Sequence, residues 1–573
     1  MSPGIALLRR RSRQGLRLLC VAFVVLALRL IYLQAIRHPK YLRKAQAVQL
    51  RDWILYARRG TIYDRNGMPL AESVMRHTVF ADPTEIERPR ATARVLAPVL
   101  AIEEDGVYPL LRRQGTRFVR LKRAILDSVA DSVADLRLRG IGLQLEPTRR
   151  YPKGAAAAQA IGFVGKEATQ PGLAGLEASL NSLLAGKNGR LVAEIDARGA
   201  LIPGRRIKEE PAIDGSNVVL TLDAQIQEIA EAQLAEAVEN SDARGGTVVV
   251  MDPHSGEILA LASLPSFDPN RPLESPPENW INPAVTYAYE PGSTYKLVMA
   301  CAALEEHLMG PHDTVTCRGA LQVGNRVIHC AHDAHGTLDL AGIVQKSCNI
   351  GAATVAMRLG HRRFLKYVKR LGFGEPVDLG LGAEAPGFVP DPNAKDWPQI
   401  RLANMAFGQG LTVTPIQLLS AYCAVANDGV RPRPHIIKRV VGPDGDTVKE
   451  YRYRGRRVIS SEVARTVRDM LVGVVEKGTG KAARIDGYRV AAKTGTAQKP
   501  CPGVGYASGK YTGSFVGFLP AAQAKLGIIV VIDEPKGSHY GGVVAAPAFR
   551  EIAIESMAYL GIPPTQVASA GSP

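Results

Sequence analysis

The sequence predicts an α+β protein with one N-terminal transmembrane helix, a mixed α/β domain and a larger domain in which helices flank an antiparallel sheet. Three observations lead to this class. An arginine-rich start is followed by an apolar run of about 19 residues, close to the length of a spanning helix. A charged stretch with turn residues near position 210 separates two regions of different pattern. In the second region, strand patterns occur at both ends and helical patterns fill the middle.

The N-terminal segment predicts an uncleaved membrane anchor. Residues 1–17 form a basic tail, and residues 18–36 form a mainly apolar run that Arg29 interrupts; we expect Arg29 to snorkel or to face a partner helix. Positive charge before the apolar run predicts a cytoplasmic N-terminus and an exported remainder. A cleaved signal peptide is the alternative, but the Ala-x-Ala at residues 45–47 lies beyond a charged stretch, too far away for usual cleavage.

The rest of the chain divides into two predicted domains. At roughly 150 residues per domain, a chain of 573 residues suggests two to four folded units. We predict a domain of short strands and helices over residues 40–210, a second domain over residues 215–562 and a loose tail over residues 563–573. The turn at Asp214-Gly215 follows the predicted boundary directly.

The second domain begins and ends with elements that the spacing predicts. Asp223 is a typical N-cap for a helix whose apolar residues recur at helical spacing up to Val238. A last helix should begin at Pro547 and end near Gly561. Two strand pairs are predicted, over residues 247–251 with 257–261 and over residues 514–519 with 526–532.

Three short motifs occur in order and carry the candidate chemistry. They are Ser293-Thr294-Tyr295-Lys296 at the start of a predicted helix, Ser347-Cys348-Asn349, and Lys493-Thr494-Gly495-Thr496 on a predicted strand. Each motif alone is weak, because exposed helix faces, ordinary turns and strand ends produce the same letters by chance. Together, in this order and in an exported protein, they indicate a serine acyl-transfer site.

The spacing of the first motif suits nucleophilic catalysis. Residues i and i+3 lie on the same side of a helix, so Lys296 can take the proton of Ser293. The lysine must be neutral to act as a base, which requires burial and a nearby positive charge that Lys493 could supply. Ser347 and Asn349 would bridge the lysines and the substrate amide.

The third motif would bind the substrate. Lys493 and Thr494 would hold a substrate carboxylate, and Gly495 would let the substrate backbone approach the strand closely. The backbone N–H groups of Ser293 and Thr496 would form an oxyanion hole. The predicted catalytic residues are therefore Ser293, Lys296, Ser347, Asn349 and Lys493, and the predicted substrate-binding residues are Thr494, Gly495 and Thr496.

Beyond these motifs, the chain after the anchor resembles the class B, monofunctional penicillin-binding proteins over nearly its whole length. Residues 59–67 with Leu70-Ala71, residues 150–154 and residues 175–177 are similar to three signatures of that family's N-terminal pedestal, which β-lactamases lack. We expect these signature residues to brace the pedestal. The turn at residues 290–293 resembles the division-specific, FtsI-type branch more than the elongation branch.

The resemblance implies a pedestal, or dimerisation, domain followed by a penicillin-binding/β-lactamase-like transpeptidase domain. It also implies a septal peptidoglycan D,D-transpeptidase, in which Ser293 attacks the D-Ala–D-Ala carbonyl of a stem peptide and an amine of a neighbouring strand resolves the ester. β-Lactams would trap the same serine. The implied partners are a polytopic glycan polymerase and other division proteins at the plasma (inner) membrane, with the catalytic domain on its periplasmic or extracellular side.

Other functions stay open at this point. An elongation-type transpeptidase, a D,D-carboxypeptidase and a β-lactamase-like hydrolase could use the same three motifs. A scaffold that recruits division proteins would not need the paired lysines around a serine. The motifs therefore favour an enzyme over a scaffold.

The cysteines and histidines between the first two motifs have three interpretations. Seven cysteines in 573 residues are too few for a disulfide scaffold. Cys317 and Cys330 could form one disulfide, or Asp313, Cys330, His335 and Cys348 could bind a structural Zn²⁺. The cysteines could also pack as small apolar side chains. The predicted catalysis itself needs no metal and no other cofactor.

The formal net charge of +17 raises the question of an anionic partner. Much of the excess lies at the N-terminus and the rest is scattered, so we predict no nucleic-acid partner. An anionic wall polymer, an anionic membrane surface or solvent alone would suit such a surface equally well.

Overall fold

The computed structural model describes residues 3–196, 201–310, 312–330, 334–394, 397–500, 506 and 509–564. Contacts divide the chain into two compact units, one of residues 1–57 with 187–213 and one of residues 58–186 with 214–573. Of the predicted tail at residues 563–573, the part from residue 565 onward lies outside the described residues.

The first unit begins with a long apolar helix. Within the described part of the chain, residues Leu7–Ile36 are the one helical stretch long and apolar enough to cross a membrane. Its apolar side chains are exposed, which fits an anchor and not a core helix. The stretch starts before the predicted limit at residue 18, because the helix runs on through the basic tail. The elements here are α1 (Pro3–Ile31), a π-helical turn (Tyr32–Ile36), α2 (His38–Gln49) and β1 (Leu50–Leu55).

The next segment, residues 58–186, contains short strands and helices, as the sequence predicts for this region. Three of its helices, between residues 89 and 135, cover a small apolar core built on Val79, Leu96, Leu100 and Val107. The elements are β2 (Ile62–Tyr63), β3 (Pro69–Ala81), α3 (Pro89–Leu100), α4 (Glu104–Leu111), β4 (Val119–Ile125), α5 (Asp127–Asp135), β5 (Ile141–Arg150), α6 (Ala158–Ile161), α7 (Gly175–Ser179) and α8 (Asn181–Leu184).

The pedestal signatures meet at one buried carboxylate. Glu177 is fully buried, and its two oxygens lie 2.5 Å from Nε of Arg59 and 2.6 Å from Nε of Arg149. Tyr151 donates its hydroxyl to the same carboxylate at 3.4 Å. Arg149 also donates to the carbonyl of Gly60. One carboxylate thus joins residues of all three signatures, as expected of side chains that brace the pedestal, and Arg149 is a participant that the signatures do not include.

Residues 187–213 belong to the first unit, although residues on both sides of them in the sequence belong to the second. Strands β6 (Gly189–Ile195) and β7 (Leu201–Glu210) extend β1 into a three-stranded antiparallel sheet with the order β1-β6-β7. The predicted boundary near residue 210 coincides with the end of β7.

The C-terminal part is built on a five-stranded antiparallel sheet with the strand order β10-β9-β21-β20-β19. Both predicted strand pairs are confirmed, and β21 pairs with β9 to join them. The strands after residue 214 are β8 (Asn217–Leu220), β9 (Gly245–Met251), β10 (Ile258–Leu264), β11 (Thr314–Cys317), β12 (Ala320–Val323), β13 (Arg326–His329), β14 (Gly336–Asp339), β15 (Val430–Arg431), β16 (Ile437–Val441), β17 (Thr447–Glu450), β18 (Arg456–Arg457), β19 (Ala491–Gln498), β20 (Tyr511–Leu519) and β21 (Leu526–Asp533).

The helices confirm the predicted pattern of a helical middle between strands. The side chain of Asp223 caps its helix by accepting from the N–H groups of Gln225 and Ile226. The helix predicted to begin at Pro547 begins one residue earlier. The helices are α9 (Ala224–Asn240), α10 (Pro283–Thr286), α11 (Lys296–Glu305), α12 (Leu340–Gln345), α13 (Asn349–Leu359), α14 (His361–Arg370), α15 (Gln399–Met405), α16 (Pro415–Ala426), α17 (Ser461–Glu476), α18 (Gly541–Val544) and α19 (Ala546–Tyr559).

One sheet crosses the predicted domain boundary. β2 pairs in parallel with β8, so that Ile62 lies opposite Val218. These strands belong to a seven-stranded sheet with the order β17-β16-β8-β2-β3-β4, in which β5 also pairs with β3. Pairing between residues so far apart in sequence leaves no local signal, so sequence pattern alone could not find it. The domain limits at residues 40–210 and 215–562 stay a prediction.

Candidate active site

Ser293 lies on a 3₁₀ turn, Gly292–Tyr295, that leads into α11. In a 3₁₀ turn the side chains at i and i+3 eclipse each other, and this brings Nζ of Lys296 to 2.6 Å from Oγ of Ser293. Gly292 has φ +58°, and a Cβ there would lie 2.5 Å from the carbonyl oxygen of Thr496. Only glycine therefore allows the turn to pack against the third motif.

The second motif supplies two side chains from a tight turn between two helices. Ser347 follows α12 with φ +57°, an unfavourable value for a residue with a Cβ, and Asn349 opens α13. Lys296 Nζ donates to Oδ1 of Asn349 at 2.8 Å and to Oγ of Ser347 at 3.3 Å. The buried lysine thus contacts the side chains of Ser293, Ser347 and Asn349.

The third motif lies on β19, one of the two edge strands of the five-stranded sheet. Lys493 is fully buried, and its Nζ lies 3.1 Å from Oγ of Ser347 and 3.3 Å from Oγ1 of Thr494. Ser347 therefore bridges the two lysines, as the sequence predicts. The structure brings together the five residues named as catalytic.

Burial changes the protonation of both lysines. Loss of hydration lowers the pKa of Lys296 to about 7, while the nearby Cys348 and Cys330 act in the opposite direction. Burial, followed by repulsion from Lys296, lowers the pKa of Lys493 well below its ordinary value. The sequence predicted burial together with the charge of Lys493, and burial is the principal cause of the lowered pKa of Lys296.

The motifs line one cleft of about 400 Å³. The predicted residues Ser293, Ser347, Asn349, Thr494 and Thr496 are among its walls. The other lining side chains come from parts of the chain far apart in sequence, and the sequence predicted none of them as part of the cleft; they are His335, Phe407, Gln409, Thr479, Tyr540 and Val543.

The structure gives a second reason for the absence of a side chain at Gly495, and the predicted approach of the substrate backbone stays a prediction. A Cβ at this position would lie 2.3 Å from Oγ of Ser514 and 2.9 Å from the carbonyl oxygen of Pro291. Both atoms belong to the protein itself. The absence of a side chain at Gly495 therefore lets β19 pack against the turn that carries Ser293, and this packing does not depend on a bound substrate.

Three hydrogen bonds near the site have no signal in the sequence. Thr479, after α17, shares a hydrogen bond of 2.9 Å with the hydroxyl of Thr494. Glu290 accepts from the N–H of Gly410 at 2.9 Å and from the hydroxyl of Tyr506 at 2.7 Å, and burial raises its pKa. Glu290 thus ties the nucleophile turn to a neighbouring loop. The sequence pointed to residues 290–293 only through their resemblance to the division-specific branch, and it gave no indication of these hydrogen bonds.

The candidate metal ligands come together only in part. Cys330, His335 and Cys348 cluster with Cys317, and their ligand atoms all lie within 4.8 Å of one another. Asp313 instead accepts the N–H of Gly310 at 2.7 Å. Cys317 therefore replaces Asp313 in the candidate set. Cys317 and Cys330 are free thiols with sulfur atoms 3.8 Å apart, so the proposed disulfide is not formed.

Comparison with known proteins gives consistent matches along the chain. Residues 54–220 match the penicillin-binding protein dimerisation domain, and residues 246–553 match the penicillin-binding protein transpeptidase domain. The probable peptidoglycan D,D-transpeptidase PenA of Neisseria meningitidis serogroup B is 35% identical over 559 residues, 97% of this chain and 93% of the relative. Stage V sporulation protein D of Bacillus subtilis is 35% identical over 552 residues, 95% of this chain and 85% of the relative.

A solved structure supports the same likeness in three dimensions. Penicillin-binding protein 3 of Mycobacterium tuberculosis, complexed with aztreonam, superposes with a TM-score of 0.70 at 31% identity. The match covers 89% of this chain and 98% of that structure.

Proposed function

Because the chain belongs to the class B penicillin-binding proteins and is a peptidoglycan D,D-transpeptidase, we propose that Ser293 is the residue that stem peptides and β-lactams acylate. The observation that carries this assignment is the contact of 2.6 Å between Nζ of Lys296 and Oγ of Ser293 in an open cleft. A serine hydroxyl needs such a base to become a nucleophile.

In the acylation step, neutral Lys296 accepts the Ser293 proton while Oγ attacks the carbonyl carbon of the penultimate D-alanine. The N–H groups of Ser293 and Thr496 would stabilise the resulting oxyanion. As the C–N bond breaks, the departing D-alanine amine takes a proton from Lys296, relayed through Ser347, which lies 3.3 Å away. Serine ester and free D-alanine result.

In the second step, an amine of a neighbouring stem peptide attacks the ester carbonyl. Lys296 accepts the proton of that amine and returns a proton to Ser293 as the ester bond breaks. The cross-link is a new amide, and the enzyme recovers its starting protonation. Asn349 would hold Lys296 in place throughout through its hydrogen bond of 2.8 Å.

Lys493 and Thr494 would bind the terminal carboxylate of the donor. The pKa of Lys493 is lowered by burial, and a bound carboxylate would favour the charged form of this lysine again. Thr479 would orient the Thr494 hydroxyl through their hydrogen bond of 2.9 Å. Gly495 would keep β19 close to Ser293.

Covalent labelling tests the assignment of Ser293. The full chain in detergent should form a stable adduct with a fluorescent penicillin, visible on a denaturing gel, and peptide mass spectrometry should place it on Ser293. Ser293→Ala should abolish the label, while Ser275→Ala, a serine outside the cleft, should keep it. A stable adduct on any other residue contradicts the proposal, and rapid drug hydrolysis without an adduct would favour a β-lactamase-like hydrolase.

The rate of labelling should rise with pH through about 7. The pKa of Lys296 is lowered to about 7, so its neutral form, the base, is the minority below that pH and the majority above it. Stopped-flow or quenched labelling at subsaturating penicillin, from about pH 5 to about pH 9, measures the profile. A rate that is flat across this range would exclude Lys296 as the titrating base.

The anchor and charge pattern support a definite topology for this membrane protein. The apolar stretch Leu7–Ile36 would cross the membrane once, with the basic N-terminus in the cytoplasm and the catalytic domain outside it. Alkaline phosphatase fused after residue 573 should then be active, because it folds only after export. Inactive fusions that are stably produced would contradict this orientation.

We also propose a role at the division septum, with a polytopic glycan polymerase and other division proteins as partners. The turn at residues 290–293, which resembles the division-specific branch, supports this choice over elongation. Depletion of the protein should give filamentous cells, and a fluorescent N-terminal fusion should collect at mid-cell. Rounded cells with label along the side wall would favour the elongation role instead.

The group that attacks the acyl-enzyme distinguishes the two reactions at this site: an amine acceptor gives transpeptidation and water gives carboxypeptidase turnover. Incubation with a D-Ala–D-Ala donor and an amine acceptor should yield cross-linked product in addition to D-alanine. Release of D-alanine without any cross-link, at saturating acceptor, would show that water is the main acceptor.

A further inference from the structure

The four side chains of Cys317, Cys330, His335 and Cys348 have no role in the mechanism above, yet their ligand atoms converge on one point. The four lie at the end of β11, after β13, before β14 and at the N-cap of α13. Their convergence therefore depends on tertiary folding and not on one local turn. We propose that they bind a single Zn²⁺ as a closed, structural site.

The distances match a zinc tetrahedron. Zn–S bonds of about 2.3 Å and Zn–N bonds of about 2.0 Å at tetrahedral angles place two sulfurs about 3.8 Å apart and a sulfur and a nitrogen about 3.6 Å apart. The observed Sγ–Sγ distances are 3.8 Å for Cys317–Cys330 and 3.6 Å for Cys330–Cys348. Nδ1 of His335 lies 3.7 Å from Cys317 and 3.5 Å from Cys330. Four of the six edges thus have the expected length.

The donor set identifies the metal. Three thiolates and one imidazole in a tetrahedron are the usual ligands of structural Zn²⁺, whereas Mg²⁺ and Ca²⁺ prefer oxygen. All four positions are filled by protein, so no ligand position remains for substrate or water. The metal would therefore stabilise structure and take no part in bond breaking.

A metal would reinforce the segment around the cluster. The described residues of 314–339 form two small sheets, β11 with β14 and β12 with β13, each of two strands of four residues. Two-stranded sheets depend on what they pack against, and the apolar side chains of these sheets pack into two separate core clusters. A metal that joins both sheets to α13 would hold them in place, since its binding energy adds directly to the free energy of unfolding.

The cluster also adjoins the catalytic turn. Cys348 lies between Ser347 and Asn349, and Ser347 has the unfavourable φ of +57°. His335 borders the same cleft as Ser293. Zinc bound to Cys348 would fix the turn that presents both side chains to Lys296. Cys348 would thus be a positioning residue, and metal loss should slow acylation without removing the nucleophile.

Metal analysis of the full chain tests the site. Protein solubilised in detergent and purified without chelator should contain about one zinc ion per chain, measured by inductively coupled plasma mass spectrometry. Replacement by Co²⁺ should produce thiolate-to-cobalt charge-transfer bands together with visible tetrahedral bands. Ser293→Ala should keep its zinc, so the result does not depend on the assignment of the nucleophile.

Three variants separate this ligand set from the one that the sequence suggests. Cys317→Ser and His335→Ala should lose most of the zinc, and His335 is half-buried, so its variant should fold even if Cys317→Ser does not. Asp313→Asn should keep the zinc and is the matched control. Loss of zinc in Asp313→Asn, no zinc in the unaltered protein, or a disulfide mapped within the cluster in protein isolated from cells would each overturn the proposal.

Discussion

Replacement of Lys296 by Met should slow penicillin labelling of Ser293 by about 10²–10⁴-fold, the usual contribution of a general base. The methionine fills a similar volume but cannot accept the serine proton. Lys296 is fully buried and its Nζ lies 2.6 Å from the Ser293 hydroxyl, so no water-exposed group can take its place directly. The hydrogen-bond partners of Lys296 are neutral, so its removal leaves no uncompensated charge and the free energy of unfolding should change little.

The control for this variant is Lys346→Met. Lys346 is adjacent to the second motif but exposed, so its loss should leave the labelling rate unchanged. The residual labelling of Lys296→Met should also lose the rise with pH near 7. If Lys296→Met retains the full rate in a protein with unchanged thermal unfolding, another group is the base.

Replacement of Glu177 by Gln should lower the free energy of unfolding by about 3–5 kcal/mol, because it leaves buried charges uncompensated. Glu177 pairs with Arg59 and Arg149, and the exposed fractions of all three side chains are 3% or less. A glutamine carries no charge and accepts fewer hydrogen bonds than a carboxylate. For a compact unit as large as residues 58–186 with 214–573, we expect the midpoint of thermal unfolding to fall by about 3–5 °C.

Glu87→Gln in the same region is the matched control. Glu87 pairs with Arg139 in solvent, with exposed fractions of 78% and 73%, so its loss should leave the midpoint almost unchanged. The labelling rate of Glu177→Gln below its unfolding temperature should equal that of the unaltered protein. A fall in labelling without a fall in stability would show that Glu177 serves the active site and not the pedestal.

The elements at both ends of the second domain could be predicted because their signals are local. The side-chain cap of Asp223 and the apolar face of α9 depend on residues close together in the sequence. The same holds for the strand pairs β9–β10 and β20–β21, which follow each other along the chain. Sheet pairing over long distances has no such signal. The parallel contact between β2 and β8, which carries one sheet across the predicted domain boundary, is an example.

The candidate active site likewise combines features that the sequence predicts with features that depend on tertiary packing. Residue types and order identify Ser293, Lys296 and Lys493, because their chemistry is rare in this combination. The principal cause of the lowered pKa of Lys296 is burial, and burial depends on helices and strands that pack from many parts of the chain. The sequence also could not show that a side chain at position 495 would clash within the protein, because the atoms that exclude a Cβ belong to Ser514 and Pro291.

The sequence by itself determined the family, the membrane anchor, the α+β class and the order of the three motifs, since each depends on residue type and spacing along the chain. Only the tertiary structure decided that Cys317 and not Asp313 completes the cysteine and histidine cluster, and that Glu177 joins the pedestal signatures. Both depend on side-chain atoms brought within a few ångströms by packing. Distances of this kind between remote residues are set by the folded core and leave no trace in local pattern.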